Sequence, residues 1–433
     1  MPNGQNADVD ELLSELRDWL SANWDPESTL GEWWERLGLA GWSSPNLPVG
    51  AYGKGVSRSD GVAVAKEIAA FGAVGAPSGL GSLLAAPTIA THGTQEQIDL
   101  FVRDIVTGEK AWCQLFSEPG AGSDLAGLTT RAERDGEEWI VNGQKVWTSG
   151  GQYAQMGMLI ARTDPDAPKH KGITWFAIEM DQPGVEIRPL VEMTGHAMFN
   201  EVFLSDARVM HDAVIGDVHD GWAATNTTLA NERAGLGTGG GSVGSGQTAG
   251  RGLDQRVGDL APKQKTTAKK RTGPRPPRGT ALDGVAQATG ANTDPTVRQD
   301  LVRLHIMDRL GQMNAQRLKA ARAAGKDIPG MANISKLAMS DMVRLRRDLG
   351  LRLLGPAGTL HAYTSEQQES LNAATGNSMA AAITGMALRA QAPSIYGGTD
   401  QIQRNIIGER VLGLPKEPGD LATTPFSQLP KNA

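Results

Sequence analysis

The residues best suited to chemistry in this 433-residue chain lie between Gln114 and Gly151. Ser117-Glu118-Pro119-Gly120-Ala121-Gly122-Ser123-Asp124 is a glycine-rich loop dense in backbone and hydroxyl donors. Trp139 to Gly150 reads as strand, Asn-Gly turn, strand. Gly120 and Gly122 let the backbone approach a ligand closely, Ser117, Ser123 and Ser149 supply hydroxyls, and Trp147 offers a ring face. Together they suit a flat, polar ligand. Two downstream segments also concentrate reactive types: Leu229-Ala-Asn-Glu232-Arg233-Ala-Gly235, and Pro393-Ser-Ile-Tyr396-Gly397-Gly398-Thr399-Asp-Gln401-Ile-Gln-Arg404. Serine-hydrolase chemistry is unsupported because no GxSxG elbow occurs. Metal ligation is equally thin: His211 and His219 stand alone, the single cysteine is Cys113, and no HExxH or carboxylate cluster is present, so no metal is expected.

The elements that must position these residues follow from periodicity. Val9, Leu12, Leu13, Leu16, Trp19 and Leu20 form an amphipathic stripe, a second helix surrounds Leu30 to Leu37, and Thr94-Gln95-Glu96-Gln97 is a capping box opening a third. Near Trp112 the period becomes alternating. Strands are expected at 129–134, 139–141, 145–148, 158–162, 174–179, 185–189 and 202–205, with turns at Asp135-Gly136 and Asn142-Gly143. Seven short strands without intervening helices imply an antiparallel barrel or sandwich. From Gly221 the helical signal returns and runs, with interruptions, to Gly413. The fold class is therefore α+β and multidomain: an N-terminal helical domain (1–110), a middle antiparallel β-barrel domain (111–216) and a C-terminal helical bundle (217–433).

Gly235 to Asp294 is rich in small residues, and a low-complexity excursion is expected at about 238–293, with seven basic residues and no acid between Lys263 and Arg278. The Gly235-Leu-Gly237-Thr-Gly-Gly240 match to a dinucleotide pattern follows a helix instead of a strand and is read as chance. A net charge of -6 argues against a nucleic-acid partner. The uncharged run 68–91 is broken by Pro77, Pro87 and glycines, so no membrane span is expected. The first residues carry no signal-peptide pattern, and a cytoplasmic location is the expectation.

The motifs SEPGAGSD, VNGQKVWTSGG and YGGTDQIQRNIIGER together resemble the acyl-CoA dehydrogenase family, over nearly everything from Asp8 to Lys416 apart from the excursion. The resemblance implies a helix, β-barrel, helix plan and an FAD cofactor. It implies FAD contacts from Phe116, Ser117, Gly122 and Ser123, with Trp147 and Ser149 beside the isoalloxazine and Thr399 and Gln401 reaching the nucleotide. It further implies lipid or fatty-acid metabolism, an acyl-CoA substrate, an electron-transfer flavoprotein as acceptor, and a homo- or hetero-oligomer.

Two departures from the family qualify this. Most members carry the catalytic glutamate directly after the tyrosine of the C-terminal motif, where this chain has Gly397. A minority place the base immediately before an arginine on the helix opening the C-terminal domain, and Glu232-Arg233 matches that position. The resemblance thus assigns Glu232 as base, Arg233 as a substrate-side cation, Ser123 as a further substrate contact, and the Gly397 N–H as a donor to the thioester carbonyl. The usual Arg-x-x-Phe-Gly arm, which reaches a partner's flavin, is degraded here to Arg256-Val-Gly258. The alternative is therefore a non-catalytic or half-site subunit that completes the flavin site of a paralogous partner.

Overall fold

The computed structural model describes residues 4–236, 248–261, 281–326, 328–416 and 423–430. The chain divides into two compact units: Met1–Leu190, Met198–Lys269 and Gly419–Ala433 form one, Val191–Ala197 with Lys270–Pro418 the other.

The first unit opens with helices Gly4–Asn23, Leu30–Leu39 and Arg58–Phe71. The second of these starts where the chain signals it, with Thr29 and Glu32 satisfying each other's backbone in a capping box. Its Trp33 and Trp34 are wholly buried, and their indole N–H groups donate to the Val74 and Gly75 carbonyls at 2.8 Å. Burying a tryptophan therefore leaves no unpaired donor here. The capping box at Thr94 is present as expected, with Gln97 as its second member.

The seven-stranded sheet comprises β1 (Trp112–Leu115), β2 (Arg131–Asp135), β3 (Glu138–Ser149), β4 (Met156–Arg162), β5 (Ile173–Glu179), β6 (Val185–Leu190) and β7 (Phe199–Met210). Its order is β1-β4-β2-β3-β7-β6, with β5 on β4, and it curls into a half-barrel. Most pairings are antiparallel as expected, but β1 and β2 follow one another along one edge of β4 and run parallel to it. β4 is buried along its whole length, which is why it reads as a continuous apolar run.

The two strands expected at 139–141 and 145–148 are one twelve-residue strand, β3. Asp135-Gly136 does turn the chain between β2 and β3, with Gly136 at φ +63°. Asn142-Gly143 does not: β3 carries a register shift there against β7, and the Asn142 side chain exchanges hydrogen bonds with Asp206. A Cβ on Gly143 would stand 2.3 Å from the Thr130 hydroxyl, so the glycine serves close approach instead of a hairpin.

The stretch expected as one excursion contains packed structure. Residues 248–261 lie on the N-terminal helices: the Gly31 N–H donates to the Leu253 carbonyl at 2.8 Å, and Val257 is fully buried in the tryptophan core. Ala281–Ala288 is a helix whose Leu282, Val285 and Ala286 join the core of the second unit with Leu304, Leu349 and Ile383. Gly237 to Gly240 and the basic run 263–278 lie outside the described residues. The second unit is otherwise helical, built on Pro295–Ala323, Met331–Leu354, Ser365–Thr375, Ala380–Arg389 and Asp400–Ile406.

Near its end the chain returns to the sheet of the first unit. The Phe426 N–H donates to the Ala167 carbonyl at 3.0 Å, and its ring lies under the Arg162 guanidinium at 3.8 Å. A cavity of about 400 Å³ lies between this tail and the loop at 118–124. No described helix is long and apolar enough to cross a membrane.

Candidate functional site

The glycine-rich loop is held from beneath by its own glutamate. Glu118 and Ala121 exchange backbone hydrogen bonds of 2.9 and 3.1 Å, closing a turn over Pro119 and Gly120. The Glu118 carboxylate accepts from the Thr129 N–H (2.7 Å) and hydroxyl (2.8 Å), the Thr130 N–H (2.9 Å) and the Lys145 ammonium (2.9 Å). Lys145 also donates to the Phe116 carbonyl at 3.1 Å, and the Val146 N–H to that of Ser117 at 2.9 Å. The side chains of Lys145 and Glu118 are 0% and 5% exposed. Burial alone would raise the Glu118 carboxyl, but the Lys145 charge and these hydrogen bonds hold it at about 2. Burial lowers the Lys145 ammonium, opposed by Glu118.

The sequence reading passed over both partners, and the reason lies in β3. Strict alternation places Lys145 on the same face as Trp147 and Ser149. The pairing with β7 slips between Lys145 and Thr148, and Trp147 takes φ +63°. A bulge with a bulky residue in the left-handed region turns Lys145 inward and Trp147 outward. The indole is 60% exposed and braced edge-on by Phe199, ring centres 5.8 Å apart. Such strain on a large aromatic persists where the surroundings enforce it, and it is characteristic of ligand-binding sites.

These residues fit a flavin. The 60% exposed indole ring offers a flat ligand a stacking face, and Ser149 lies two residues along the same strand, half-buried. Gly122 and Ser123 are exposed on the loop, and no atom stands within 4 Å of a Cβ placed on Gly122. Phe116 and Ser117 follow β1, with Phe116 buried and Ser117 half-buried.

Glu232 lies on helix Gly221–Leu236, which packs against Ala86–His92 and β5. Two hydroxyl contacts fix its seating: Thr228 to Thr88 at 2.9 Å, and Thr227 to His92 at 2.8 Å. The carboxylate of Glu232 accepts from Gln114 on β1 at 3.4 Å, two residues before Phe116. Burial raises its pKa above the usual glutamate range, opposed by the Gln114 hydrogen bond and the Arg233 charge. Arg233 itself is exposed. Gln114 is a site residue that sequence alone gave no chemical reason to single out.

In the second unit, Tyr396-Gly397-Gly398 is a turn with both glycines at positive φ, +63° and +81°. Thr399 caps the following helix by accepting from the Ile402 N–H at 3.2 Å, and Gln401 is exposed. Behind the turn Asp400 is buried, accepting from Ser340 (2.8 Å), Lys336 (3.0 Å) and Arg344 (3.1 Å). Burial would raise the Asp400 carboxyl, but these donors hold it at about 2. Phe116, Ser117, Gly122, Ser123, Trp147, Ser149, Glu232 and Arg233 belong to one unit, and Gly397, Thr399 and Gln401 to the other. No group of three or more potential metal ligands occurs among the described residues.

A helical region, a curled sheet carrying a glycine-rich loop, and a helical bundle define the class of fold. The chain matches the models for the acyl-CoA dehydrogenase N-terminal domain at residues 9–109, middle domain at 113–207 and C-terminal domain at 284–412. It is 34% identical over 428 residues to acyl-CoA dehydrogenase IpdE1 of Mycobacterium tuberculosis, covering 95% of this chain and 99% of that one. It is 37% identical over 381 residues to acyl-CoA dehydrogenase FadE34 of the same organism, covering 88% of this chain but spanning only 46% of FadE34. Among solved structures it resembles the ChsE4-ChsE5 complex from Mycobacterium tuberculosis, at 26% identity and TM-score 0.62, covering 96% of this chain and all of that one. The chain belongs to the acyl-CoA dehydrogenase family.

Proposed function

We propose that this chain catalyses α,β-dehydrogenation of an acyl-CoA thioester, with Glu232 as the base. The observation that carries the reading is a carboxylate of raised pKa on a firmly seated helix, bonded to the strand that leads into the loop. A base whose pKa approaches the working pH takes a carbon-bound proton most effectively. Glu232 removes the proton from the carbon α to the thioester and holds it on its carboxyl group. FAD, when bound, supplies the two-electron acceptor that takes the β-hydrogen as hydride, leaving the 2,3-enoyl thioester. Phe116, Ser117, Gly122 and Ser123 hold the cofactor through backbone and hydroxyl groups, Trp147 and Ser149 flank its ring, and Thr399 and Gln401 reach its nucleotide. The Gly397 N–H polarises the thioester carbonyl, a role that needs no side chain. Ser123 and Arg233 contact the substrate, an electron-transfer flavoprotein accepts the electrons, and the protein works as an oligomer in the cytoplasm.

A second reading is a half-site subunit that completes a partner's flavin site. What favours it is the fate of Arg256-Val-Gly258. Arg256 pairs with Glu27 at 2.9 Å, Val257 is buried, and the Gly258 N–H donates to the Pro26 carbonyl at 2.9 Å. A segment so engaged with its own chain is not a free arm for a neighbour.

Two measurements decide. Flavin content of the chain purified alone, against the chain co-expressed with a paralogous partner, separates the readings: a colourless chain that turns yellow and active only with the partner ends the homomeric version. In the flavin-loaded form, Glu232→Gln should lower turnover by about 10²- to 10⁴-fold with flavin content unchanged. Near-normal turnover sinks the base assignment.

A further inference from the structure

The Gly397-Gly398 turn contains the two residues least able to hold a conformation of their own, because glycine without Cβ has no preference for either sign of φ. Both sit at positive φ, and one side chain accounts for it. The Nε2 of Gln403 donates to the Gly397 carbonyl at 3.0 Å and to the Gly398 carbonyl at 3.2 Å. Gln403 is 2% exposed, so these bonds face no competition from water. Its Oε1 accepts from Asn333 at 2.7 Å, on the long helix behind. With both amide hydrogens and the amide oxygen engaged, the Gln403 head group has one orientation.

The consequence follows from peptide geometry. In a trans peptide the C=O and the next N–H point in opposite directions. Pinning the Gly397 and Gly398 carbonyls on Gln403 therefore turns the N–H groups of Gly398 and Thr399 away from it. The Gly397 N–H belongs to the preceding peptide and joins the pinned carbonyl through the Gly397 Cα, so the anchor restrains it through the φ and ψ of that one residue. The geometry points to Gln403, held by Asn333, as the positioning residue of this turn: it keeps the Gly397 N–H on the thioester carbonyl that the dehydrogenation requires. This inference rests on the proposed role of the Gly397 N–H. Glycine permits positive φ at 397 without holding it, so the hold on this turn comes from outside its own backbone.

The test uses the flavin-loaded full-length protein, with its partner if flavin binding needs one, and a 2,3-enoyl-CoA carrying ¹³C at C1. In the parent protein the isotope-edited infrared band of the bound thioester carbonyl should lie below its free-solution frequency. Gln403→Glu replaces the forked donor by an oxygen facing two carbonyls. It should return the band toward the free value and lower kcat by about 10- to 100-fold with KM changed by less than about threefold. Asn333→Ala leaves the donor but releases its orientation, and should move band and kcat in the same direction by about two- to fivefold in rate. A folded Gln403→Glu protein with the parent band overturns the inference, whether or not its rate falls. So does a parent-like Asn333→Ala protein where Gln403→Glu does not fold. A parent protein whose own band sits at the free-solution frequency overturns the Gly397 donor role itself, and the Gln403 inference with it.

Discussion

Two glycine turns in this chain each have a buried acid close by in sequence, and the acids are held differently. Glu118 lies under the 119–122 turn with a fully buried lysine and three further donors from Thr129 and Thr130. Asp400 lies behind the 397–398 turn with Ser340 and two cations that reach solvent, Lys336 at 11% and Arg344 at 34% side-chain exposure. The first clamp is a closed ion pair that also seizes the Phe116 carbonyl; the second is a surface-linked network. The second turn, with glycine at position 397, has both its carbonyls on Gln403. An ordered turn at this position agrees with the proposed base at Glu232 more than with a decaying site.

The comparison breaks or sharpens on the two acids' partners. Lys145→Met would leave Glu118 buried without the cation bonded to it, which costs about 3–5 kcal/mol. A large fall in denaturation midpoint should accompany loss of flavin, because the loop and the Phe116 carbonyl lose the same support. Asp400→Asn keeps hydrogen bonding to Ser340 and leaves its cations hydrated, so about 1–3 kcal/mol is expected. Equal losses in the two variants would mean that burial of the lysine does not matter. Acid adds a second way to tell them apart. Both carboxyls sit at about 2, below their unfolded values, so each contributes stability above about pH 4 that is lost as pH falls toward 2. In Lys145→Met the Glu118 share of that acid step should shrink while the Asp400 share remains, as measured by unfolding midpoint against pH.

How much of this was legible follows from the same residues. The α, β, α order and the capping box at Thr94 are written in local pattern. The loop at 117–124 was legible because glycines and hydroxyls declare themselves by type. Lys145 and Glu118 were not, because a bulge at Trp147 defeats the period-two rule that would sort them. Asn142-Gly143 misled for a related reason: the dipeptide that makes a tight turn also makes a bulge, and only the partner strand decides. Gln114, Gln403 and Asn333 are amides on ordinary elements. Gln114 and Asn333 act through contacts across 118 and 70 residues, which no local window contains, and Asn333 orients the Gln403 amide.

Glu232 provides the mildest test, and the one that bears on whether the chain performs chemistry. Burial raises its folded pKa, so as pH climbs past the ordinary glutamate value the unfolded chain ionises first. Stability then declines until pH passes the folded value, and stays lower above it. Glu232→Gln has no charge to lose. It should unfold at a slightly higher temperature than the parent at neutral pH and show no difference near pH 4. The same protonation should govern turnover, which rises with pH through the raised value as the base becomes available. A surface carboxylate would give neither effect: its removal would leave the unfolding temperature unmoved, and no acid limb above the ordinary glutamate range would appear in the rate. A stabilised but inactive Glu232→Gln protein would tie the cost of burying this acid to its use as the base.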